Sequence, residues 1–345
     1  MPLVEDLFGH LGSIHRVAGR NISANDVQDA NILLVRSITQ VNSELLNGSS
    51  VRFVGSATIG TDHIDQDYLA KNNIGFAYAP GCNAQAVAEY VLCAIAYWAE
   101  KRNRDVSRIR VGIIGAGNVG SKLAKVLDAL SIDYVLSDPP LQQAGDRRSF
   151  VSLDEIQACD VISCHVPLTY DQADATYHLL DQSFLDGLKD NCLLINSSRG
   201  AVLDNQAALN AKILAEIDNR RLDIVLDVWE NEPDLDVHLL DKCLLATPHI
   251  AGYSLAGKVR GSFMLYQAVC HWFDKAEVHK LVDYLPRNNH WPLNLRALKQ
   301  LKKYYDISAD DQALRQVKQY LPQSFDKLRK EYPTRHEFID FSNII

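Results

Sequence analysis

One glycine-rich stretch, RVGIIGAGNVGSKLAKVL at residues 110–127, constrains the fold of this chain most strongly. Gly115, Gly117 and Gly120 follow a β-branched run and open an apolar-periodic helix. In this context the first glycine makes a tight turn, the second lets the backbone approach a pyrophosphate, and the third allows close helix packing. The motif therefore predicts a dinucleotide-binding unit; a glycine-rich turn without a ligand is the alternative.

An acidic residue sits where such a unit needs one. Asp138 follows the run YVLS, about 20 residues after the glycines, where a carboxylate accepts from ribose hydroxyls and repels a 2′-phosphate. Residues 139–142 offer no cation to such a phosphate. The helix start at Asn118 and Val119 offers N–H groups to the pyrophosphate. The sequence thus predicts NAD, rather than NADP, as cofactor.

Short apolar runs alternate with helical patterns between residues 109 and 247, which predicts a doubly wound, parallel, Rossmann-type α/β sheet. The predicted strands are 111–114, 134–137, 161–164, 192–196, 223–227 and 244–247. Between them, residues 205–217 have a helical period, with Leu209, Ile213 and Ile217 as the expected apolar face.

The first hundred residues predict a second, flavodoxin-like α/β unit. Its expected strands are 15–17, 32–37, 51–58 and 75–80, and its expected helices include 3–11 and 84–101. Because such a unit usually opens with a central strand, the opening helix suggests that the first strand is missing. A helical segment at 254–274 has no sheet of its own, so we expect it to pack back on this unit.

These patterns predict three domains. Residues 1–101 with 250–285 form a substrate-binding domain, and residues 102–249 form an NAD-binding domain. Residues 286–345 shift to a charged composition with KQLKKYYD and DKLRKEYP. That last region is either a solvated helical tail or a segment whose aromatics and leucines bury against a second subunit.

Composition excludes several protein classes. A formal net charge of −8 disfavours general nucleic-acid binding. The seven cysteines are odd in number and show no C-x-x-C spacing, which predicts reduced thiols in the cytoplasm and no metal centre. Residues 90–99, the longest uncharged apolar stretch, span about half of the ~20 residues a membrane helix needs, so we expect a buried helix and no membrane span. The start MPLVEDLFGHLG does not resemble a signal peptide.

Three polar stretches fall at carboxyl ends of predicted strands, where open α/β sheets bind ligands: INSSRGAV, DVWENEP and TPHIAG. Arg199 offers a bidentate fork to a carboxylate. Glu232 can hold an imidazole, and His249 can then accept or give a proton near neutral pH. Asp227 is a candidate for the nicotinamide amide. Taken singly, these residues have simpler interpretations: Arg199 as a surface salt bridge, Glu232 as a solvated turn acid and His249 as a core histidine. Together they favour hydride transfer from a 2-hydroxy acid.

In this order, GxGxxG, Asp138, SSRG, DVWENEP and PHIAG resemble the D-isomer-specific 2-hydroxyacid dehydrogenases over roughly residues 30–285. The resemblance implies that Arg199 anchors the substrate carboxylate. It also implies that Glu232 and His249 form the acid–base pair and that the segment 54–65 grips the substrate.

A narrower resemblance covers LLVRSITQVN, TDHIDQDYL, PGCNAQAVAEYV, SDPP, LDVWENEP, HIAGYSLAGKVRG and FDKLRKEY. It is to a branch that oxidises 4-phospho-D-erythronate to 2-oxo-3-hydroxy-4-phosphobutanoate in the synthesis of pyridoxal 5′-phosphate. That branch has a C-terminal dimerisation domain, so a homodimer is implied. Its implied substrate contacts are Ser37, Thr58 and Tyr253, and its implied cofactor contacts include Val166 and Gly252.

A phosphorylated acid needs a second anion site, for which Arg36 beside Ser37 is our hypothesis; a local salt bridge is the alternative. Two other functions stay open. One is a related dehydrogenase of 3-phosphoglycerate, glyoxylate or hydroxypyruvate. The other is an NAD-sensing binding protein that resembles these enzymes, as some corepressors do.

Overall fold

The computed structural model describes residues 1–170, 173–287 and 290–341. The chain divides into two compact units, residues 1–83 with 254–287, and residues 84–253 with 288–345. The sequence instead placed boundaries after 101, 249 and 285. The helix from residue 84 joins the second unit because apolar residues all around it pack in that unit's core.

The first unit is built on a small parallel sheet. Its helices and strands are α1 (Val4–Phe8), α2 (Ala24–Val27), β1 (Ile32–Val35), α3 (Ser43–Leu46), β2 (Phe53–Ser56), α4 (Gln66–Lys71), β3 (Gly75–Tyr78) and α12 (Leu255–Trp272). Among the described residues the sheet order is β1-β2-β3, with Ile32 opposite Phe53. Helix α12 packs on β2, β3 and α1, which confirms that this segment returns to the first unit.

The predicted strand at 15–17 is wrong. His15 and Arg16 are exposed in a segment without regular structure. The Arg16 guanidinium is bound by the Glu5 carboxylate, with Nε 2.6 Å from Oε1. An exposed segment held by an ion pair has no apolar face to bury, so no strand forms.

The second unit carries the large sheet. Its elements are α5 (Ala84–Arg102), β4 (Arg110–Ile114), α6 (Asn118–Ala129), β5 (Asp133–Ser137), α7 (Pro139–Gln143), α8 (Leu153–Gln157), β6 (Val161–Cys164), α9 (Gln182–Asp186), β7 (Cys192–Asn196), α10 (Asn205–Ile217), β8 (Leu222–Leu226), α11 (Val237–Lys242), β9 (Leu245–Ala246), α13 (Ile307–Gln316) and α14 (Gln323–Lys330). Its strands are parallel in the order β5-β4-β6-β7-β8-β9. The six predicted strands and the doubly wound class are confirmed.

Short 3-10 helices lie at Val106–Arg108, Gly200–Val202 and Lys318–Tyr320 in the second unit and at Leu281–Asp283 in the first, and a longer one of nine residues spans Leu295–Lys303. Helix α10 has the predicted bounds but not the predicted buried face. Of the three predicted residues, Leu209 is half-buried and packs on the core, but Ile213 and Ile217 are 41% and 72% exposed, whereas Ala207, Ala208 and Ala211 are buried. Small side chains let the helix lie close to its neighbours, and this packing decides the buried face.

The C-terminal region is not a solvated tail. Helix α13 packs on β9, and the Asp311 carboxylate accepts from the Ala246 N–H at 2.8 Å. Phe325 and Phe338 are buried in cores of the second unit. Much of the region's apolar surface is therefore covered by its own chain.

Two compositional predictions can be compared with the described residues. All seven cysteines are buried and free. None of the described helices combines the length and apolar character of a membrane span. The apolar stretch 90–99 lies inside α5, as the sequence predicts.

Candidate active site

His249 and Glu232, the predicted acid–base pair, are in direct contact. His249 Nδ1 lies 2.8 Å from Glu232 Oε2, while Oε1 accepts from the Trp229 N–H at 2.8 Å. This bond fixes one imidazole nitrogen and directs Nε2 away from the carboxylate. The His249 side chain is 33% exposed, so its ring can meet a ligand.

The surroundings of Glu232 keep its carboxyl ionised, so it can act as a charged partner of His249. Burial of the carboxyl raises its pKa, but the His249 ring, the Trp229 N–H and the Arg329 guanidinium outweigh burial and lower the pKa below the ordinary value. Glu232 therefore stays ionised around neutral pH and can stabilise a protonated imidazole.

The turn that carries His249 is organised by Asp227. The Asp227 carboxylate accepts from the Thr247 hydroxyl at 2.6 Å and from the N–H groups of Ile250 and Ala251 at 2.8 and 2.9 Å. The His249 N–H donates to the Asp227 carbonyl at 2.7 Å. These bonds hold His249 at a φ of 56°, in the left-handed region.

This placement bears on the role predicted for Asp227. The side chain is 1% exposed and its described bonds are to the turn. One oxygen accepts twice and the other once, so a carboxylate with about four lone-pair sites keeps room for one more donor. A contact to a nicotinamide amide stays a prediction for Asp227.

Arg199 lies on the loop after β7. Asn196 shapes this loop, since its Nδ2 donates to the Arg199 carbonyl at 2.9 Å and its Oδ1 accepts from the Ser198 N–H and hydroxyl. Gly200 is required next, because a Cβ there would lie 1.9 Å from the Trp229 carbonyl oxygen. Sequence reasoning missed Asn196, although it stands in the same INSSRG stretch as Arg199.

The stretch DVWENEP also contains a second glutamate with a different partner. Glu230 Oε1 lies 2.7 Å from His178 Nε2, and its other oxygen accepts from the Asn205 N–H. Glu230 therefore belongs to a separate contact with the start of α10. Only the geometry distinguishes it from Glu232.

The glycine-rich loop fits a dinucleotide pyrophosphate. Gly115 has a φ of 89°, and a Cβ on Gly120 would lie 2.1 Å from the Gly115 carbonyl oxygen. At Gly117, by contrast, the described residues beyond its chain neighbours place no heavy atom within 4 Å of the Cβ position. None of the side chains in the described ranges caps α6 at Gly117. The N–H groups at Asn118 and Val119 thus start a helix beside open space, as phosphate binding requires.

Asp138 is half-buried beside this loop. Its carboxylate accepts from the N–H groups of Ala116 and Leu141, so it supports the loop as well as facing it. An adjoining cavity of about 410 Å³ is lined by Ala116, Gly117, Asn118, Ser121, Lys122, Lys125, Leu141 and Arg148. Three of the lining residues are cations, Lys122, Lys125 and Arg148, and none of them is among residues 139–142, which directly follow Asp138 in the sequence.

Val166 follows β6, and its Cγ1 would lie 2.9 Å from a Cβ on Gly115. The side chain therefore packs at the glycine-rich loop. Its neighbour His165 is half-buried, and desolvation of its ring lowers the pKa of the imidazole to about 3. Gly252 and Tyr253 lie at the end of the turn that carries His249, and both are half-buried. The Tyr253 N–H donates to the Ile250 carbonyl of this turn at 2.8 Å.

The remaining predicted residues lie in the first unit. Arg36 and Ser37 follow β1, Arg36 half-buried and Ser37 exposed. Thr58 follows β2, where its hydroxyl is 2.6 Å from the Ser56 hydroxyl and 2.9 Å from the Gly60 carbonyl. Each lies at a carboxyl end of a strand, as the sequence predicts.

Two family models match the chain. The NAD binding domain of D-isomer specific 2-hydroxyacid dehydrogenases matches residues 89–251. A domain of unknown function, DUF3410, matches residues 287–342.

Curated relatives match nearly the whole chain. The erythronate-4-phosphate dehydrogenase of Tolumonas auensis is 47% identical over 347 residues, covering 98% of this chain and 91% of the relative. Those of Pseudomonas syringae pv. syringae and Marinobacter nauticus are 46% and 45% identical with the same coverage.

Solved structures show the same fold. The D-lactate dehydrogenase of Aquifex aeolicus, in complex with NAD and lactic acid, has a TM-score of 0.63 and 25% identity over 79% of this chain and 92% of that one. The 3-phosphoglycerate dehydrogenase of Entamoeba histolytica, with bound NAD⁺, has a TM-score of 0.65 and 21% identity over 80% and 93%.

Proposed function

This chain belongs to the erythronate-4-phosphate dehydrogenases, a branch of the D-isomer specific 2-hydroxyacid dehydrogenases, and we propose that it oxidises 4-phospho-D-erythronate to 2-oxo-3-hydroxy-4-phosphobutanoate with NAD. The observation that carries the chemistry is the 2.8 Å contact between His249 and an ionised, half-buried Glu232. The pathway role that follows is in pyridoxal 5′-phosphate synthesis.

The proposed mechanism assigns one task to each catalytic side chain. Arg199 holds the substrate carboxylate with its planar fork and polarises the carbonyl that forms at the neighbouring carbon. His249 Nε2 takes the proton of the C2 hydroxyl, and Glu232 stabilises the resulting imidazolium through Nδ1. When bound, NAD supplies the acceptor for the C2 hydride.

The glycine-rich loop is proposed to hold the cofactor. The proposed cofactor contacts, in this loop and at neighbouring strand ends, are Gly115, Gly117, Asn118, Val119, Gly120, Asp138, Val166, Asp227 and Gly252.

Gly117→Ala should weaken NAD binding about tenfold, since the added methyl fills the space a pyrophosphate would approach. The unfolding temperature should stay unchanged because, in the part of the chain that the structure describes, only the chain neighbours of Gly117 come within 4 Å of the added Cβ. Fluorescence titration with NADH and thermal unfolding check both; unchanged affinity would contradict the proposed cradle.

Substrate contacts are proposed for Ser37, Thr58 and Tyr253, with backbone N–H groups near Thr58 helping to hold the carboxylate. Arg36 is the first unit's candidate for a phosphate contact. Residues 1–101 with 250–285 would then serve the substrate and 102–249 the cofactor.

We also propose that the protein forms a homodimer in the cytoplasm. Residues 286–345 would carry the subunit contact, and exposed Tyr320 offers an apolar surface for it. The seven buried, free cysteines are consistent with a reducing compartment. Light scattering of the purified protein should give twice the chain mass; a monomer at micromolar concentration would contradict the dimer.

NADH formation with 4-phospho-D-erythronate and with 3-phosphoglycerate, measured side by side, tests the proposed function. We expect kcat/KM to favour the four-carbon substrate by about tenfold or more. A parallel product assay with an added keto-acid acceptor covers the case in which reduced cofactor stays bound. Preference for 3-phosphoglycerate would contradict the substrate, and NADH binding without turnover of either acid would contradict the enzyme.

A further inference from the structure

Arg329 is a buried cation that the mechanism above does not use. It lies near the end of α14, and its side chain is only 12% exposed. The guanidinium carbon sits 5.7 Å from the centre of the Phe325 ring and 5.9 Å from the centre of the Tyr253 ring. Aromatic rings therefore cover much of a charged group.

Apart from the charge of Glu232, this cation has only a long contact with a carboxylate among the described residues. Its Nη1 is 3.8 Å from the Asp326 carboxylate, beyond hydrogen-bond distance. Its Nε is buried and has no hydrogen-bond partner among residues 1–170, 173–287 and 290–341. Because burying a charge is costly unless the charge is paired and hydrogen-bonded, such a guanidinium is suited to receive an anion.

The neighbours of Arg329 place that anion beside the reacting atoms. Its charge reaches Glu232 and contributes to the lowered pKa of that carboxyl. Tyr253 lies four residues after His249, at the end of the turn that Asp227 organises. A ligand atom bound by Arg329 would therefore lie on the side of the second unit that carries the acid–base pair.

We propose that Arg329 binds the 4-phosphate of the substrate, so that the C-terminal region supplies part of the substrate site. This inference rests on the proposed function, which gives the substrate a carboxylate at one end and a phosphate at the other. Arg199 is assigned to the carboxylate. A second arginine with a planar, bidentate fork matches the phosphate.

The assignment is tested by supplying the substrate as two separate parts, D-erythronate and phosphite dianion. Oxidation of D-erythronate, which lacks the phosphate, is measured with and without added phosphite dianion, alongside oxidation of 4-phospho-D-erythronate. Arg329→Gln should lower kcat/KM for the phosphorylated substrate by about 100-fold, change that for D-erythronate less than about threefold, and abolish activation by phosphite. Equal losses on both substrates would overturn the proposal, because they would make Arg329 a positioning residue for Glu232.

Matched variants separate this result from other causes. Lys330→Gln removes an exposed neighbouring charge and should leave all three rates unchanged. Arg329→Lys keeps the charge and should retain part of the phosphite activation, and it decides the question if the glutamine variant does not fold. Arg36→Gln is assayed in parallel; loss of phosphite activation in that variant alone would overturn the role of Arg329. A wild-type enzyme without preference for the phosphorylated acid would instead contradict the proposed function.

Discussion

The turn at residues 247–251 and the loop at 57–61 are both candidate site segments, yet they are held very differently. In the turn, the Asp227 carboxylate accepts three hydrogen bonds and the Asp227 carbonyl a fourth, all within a buried setting. In the loop, half-buried Thr58 is held by two bonds of its hydroxyl and by the Ala79 N–H, which donates to its carbonyl at 3.0 Å. Proton transfer needs fixed geometry, whereas a residue that admits substrate needs access.

Glu232→Gln is the sharpest test of the rigid region and should have the largest effect. The amide cannot stabilise a protonated His249, so kcat should fall about 10²-fold or more. Because the pKa of Glu232 is lowered, the wild-type rate should show no acid limb from this carboxyl near its ordinary value. Steady-state rates between pH 5 and 9 check both expectations. An unchanged kcat would remove the functional difference between the two regions.

Asp227→Ala should break the turn itself. It leaves the buried N–H groups of Ile250 and Ala251 without their acceptor, at a cost of about 1–3 kcal/mol for each unsatisfied group. We expect a lower unfolding temperature together with a reduced kcat. Thermal unfolding and steady-state kinetics measure this, and Asp234→Ala, in the loop after the stretch DVWENEP, is the comparison variant. Stability equal to wild type would show that the turn does not depend on Asp227.

Glu89 shows how far the hydrogen-bonded network extends. Its Oε1 accepts from the N–H groups of Phe338 and Ile339, and Arg335 of the same segment donates to the Ala251 carbonyl. Burial and nearby Glu337 raise the pKa of Glu89 from its ordinary 4.5 to about 8, against the opposing Arg335.

A raised carboxyl pKa means that the folded protein holds a proton that the unfolded chain has lost. Between pH 4.5 and 8 this group should therefore lower the free energy of unfolding by up to ~1.4 kcal/mol per pH unit as the pH rises. Glu89→Gln should remove that slope. Urea unfolding at pH 5, 6.5 and 8 compares the two proteins; parallel curves would contradict the assignment.

Thr58→Val should have the smallest effect, because it changes the accessible loop. Loss of the hydroxyl removes its bonds to Ser56 and Gly60, worth about 1 kcal/mol each. We expect KM for the hydroxy acid to rise a few-fold while kcat changes little. Ser50→Ala, exposed and outside this loop, serves as the control. A kcat loss comparable to that of Glu232→Gln would erase the proposed contrast.

The sequence predicted the elements with strong periodicity or motif chemistry. The six strands, the glycine-rich turn and the contact between Glu232 and His249 all follow from residue order, because parallel strands bring their carboxyl ends to one edge. The exposed face of α10 and the partner of Glu230 could not be predicted in this way, since each depends on which neighbour packs there. Arg329 and Arg148 were missed because they are far in sequence from the groups they face.

The role of His249 as the base is tested most directly by the single-turnover rate of hydride transfer from 4-phospho-D-erythronate, measured for the wild type and His249→Asn. We expect a rate at least about 10²-fold lower in the variant, with an NAD dissociation constant within about twofold of wild type. Equal transfer rates in the two proteins would contradict it, because His249 would then be a hydrogen-bonded core residue and not the base.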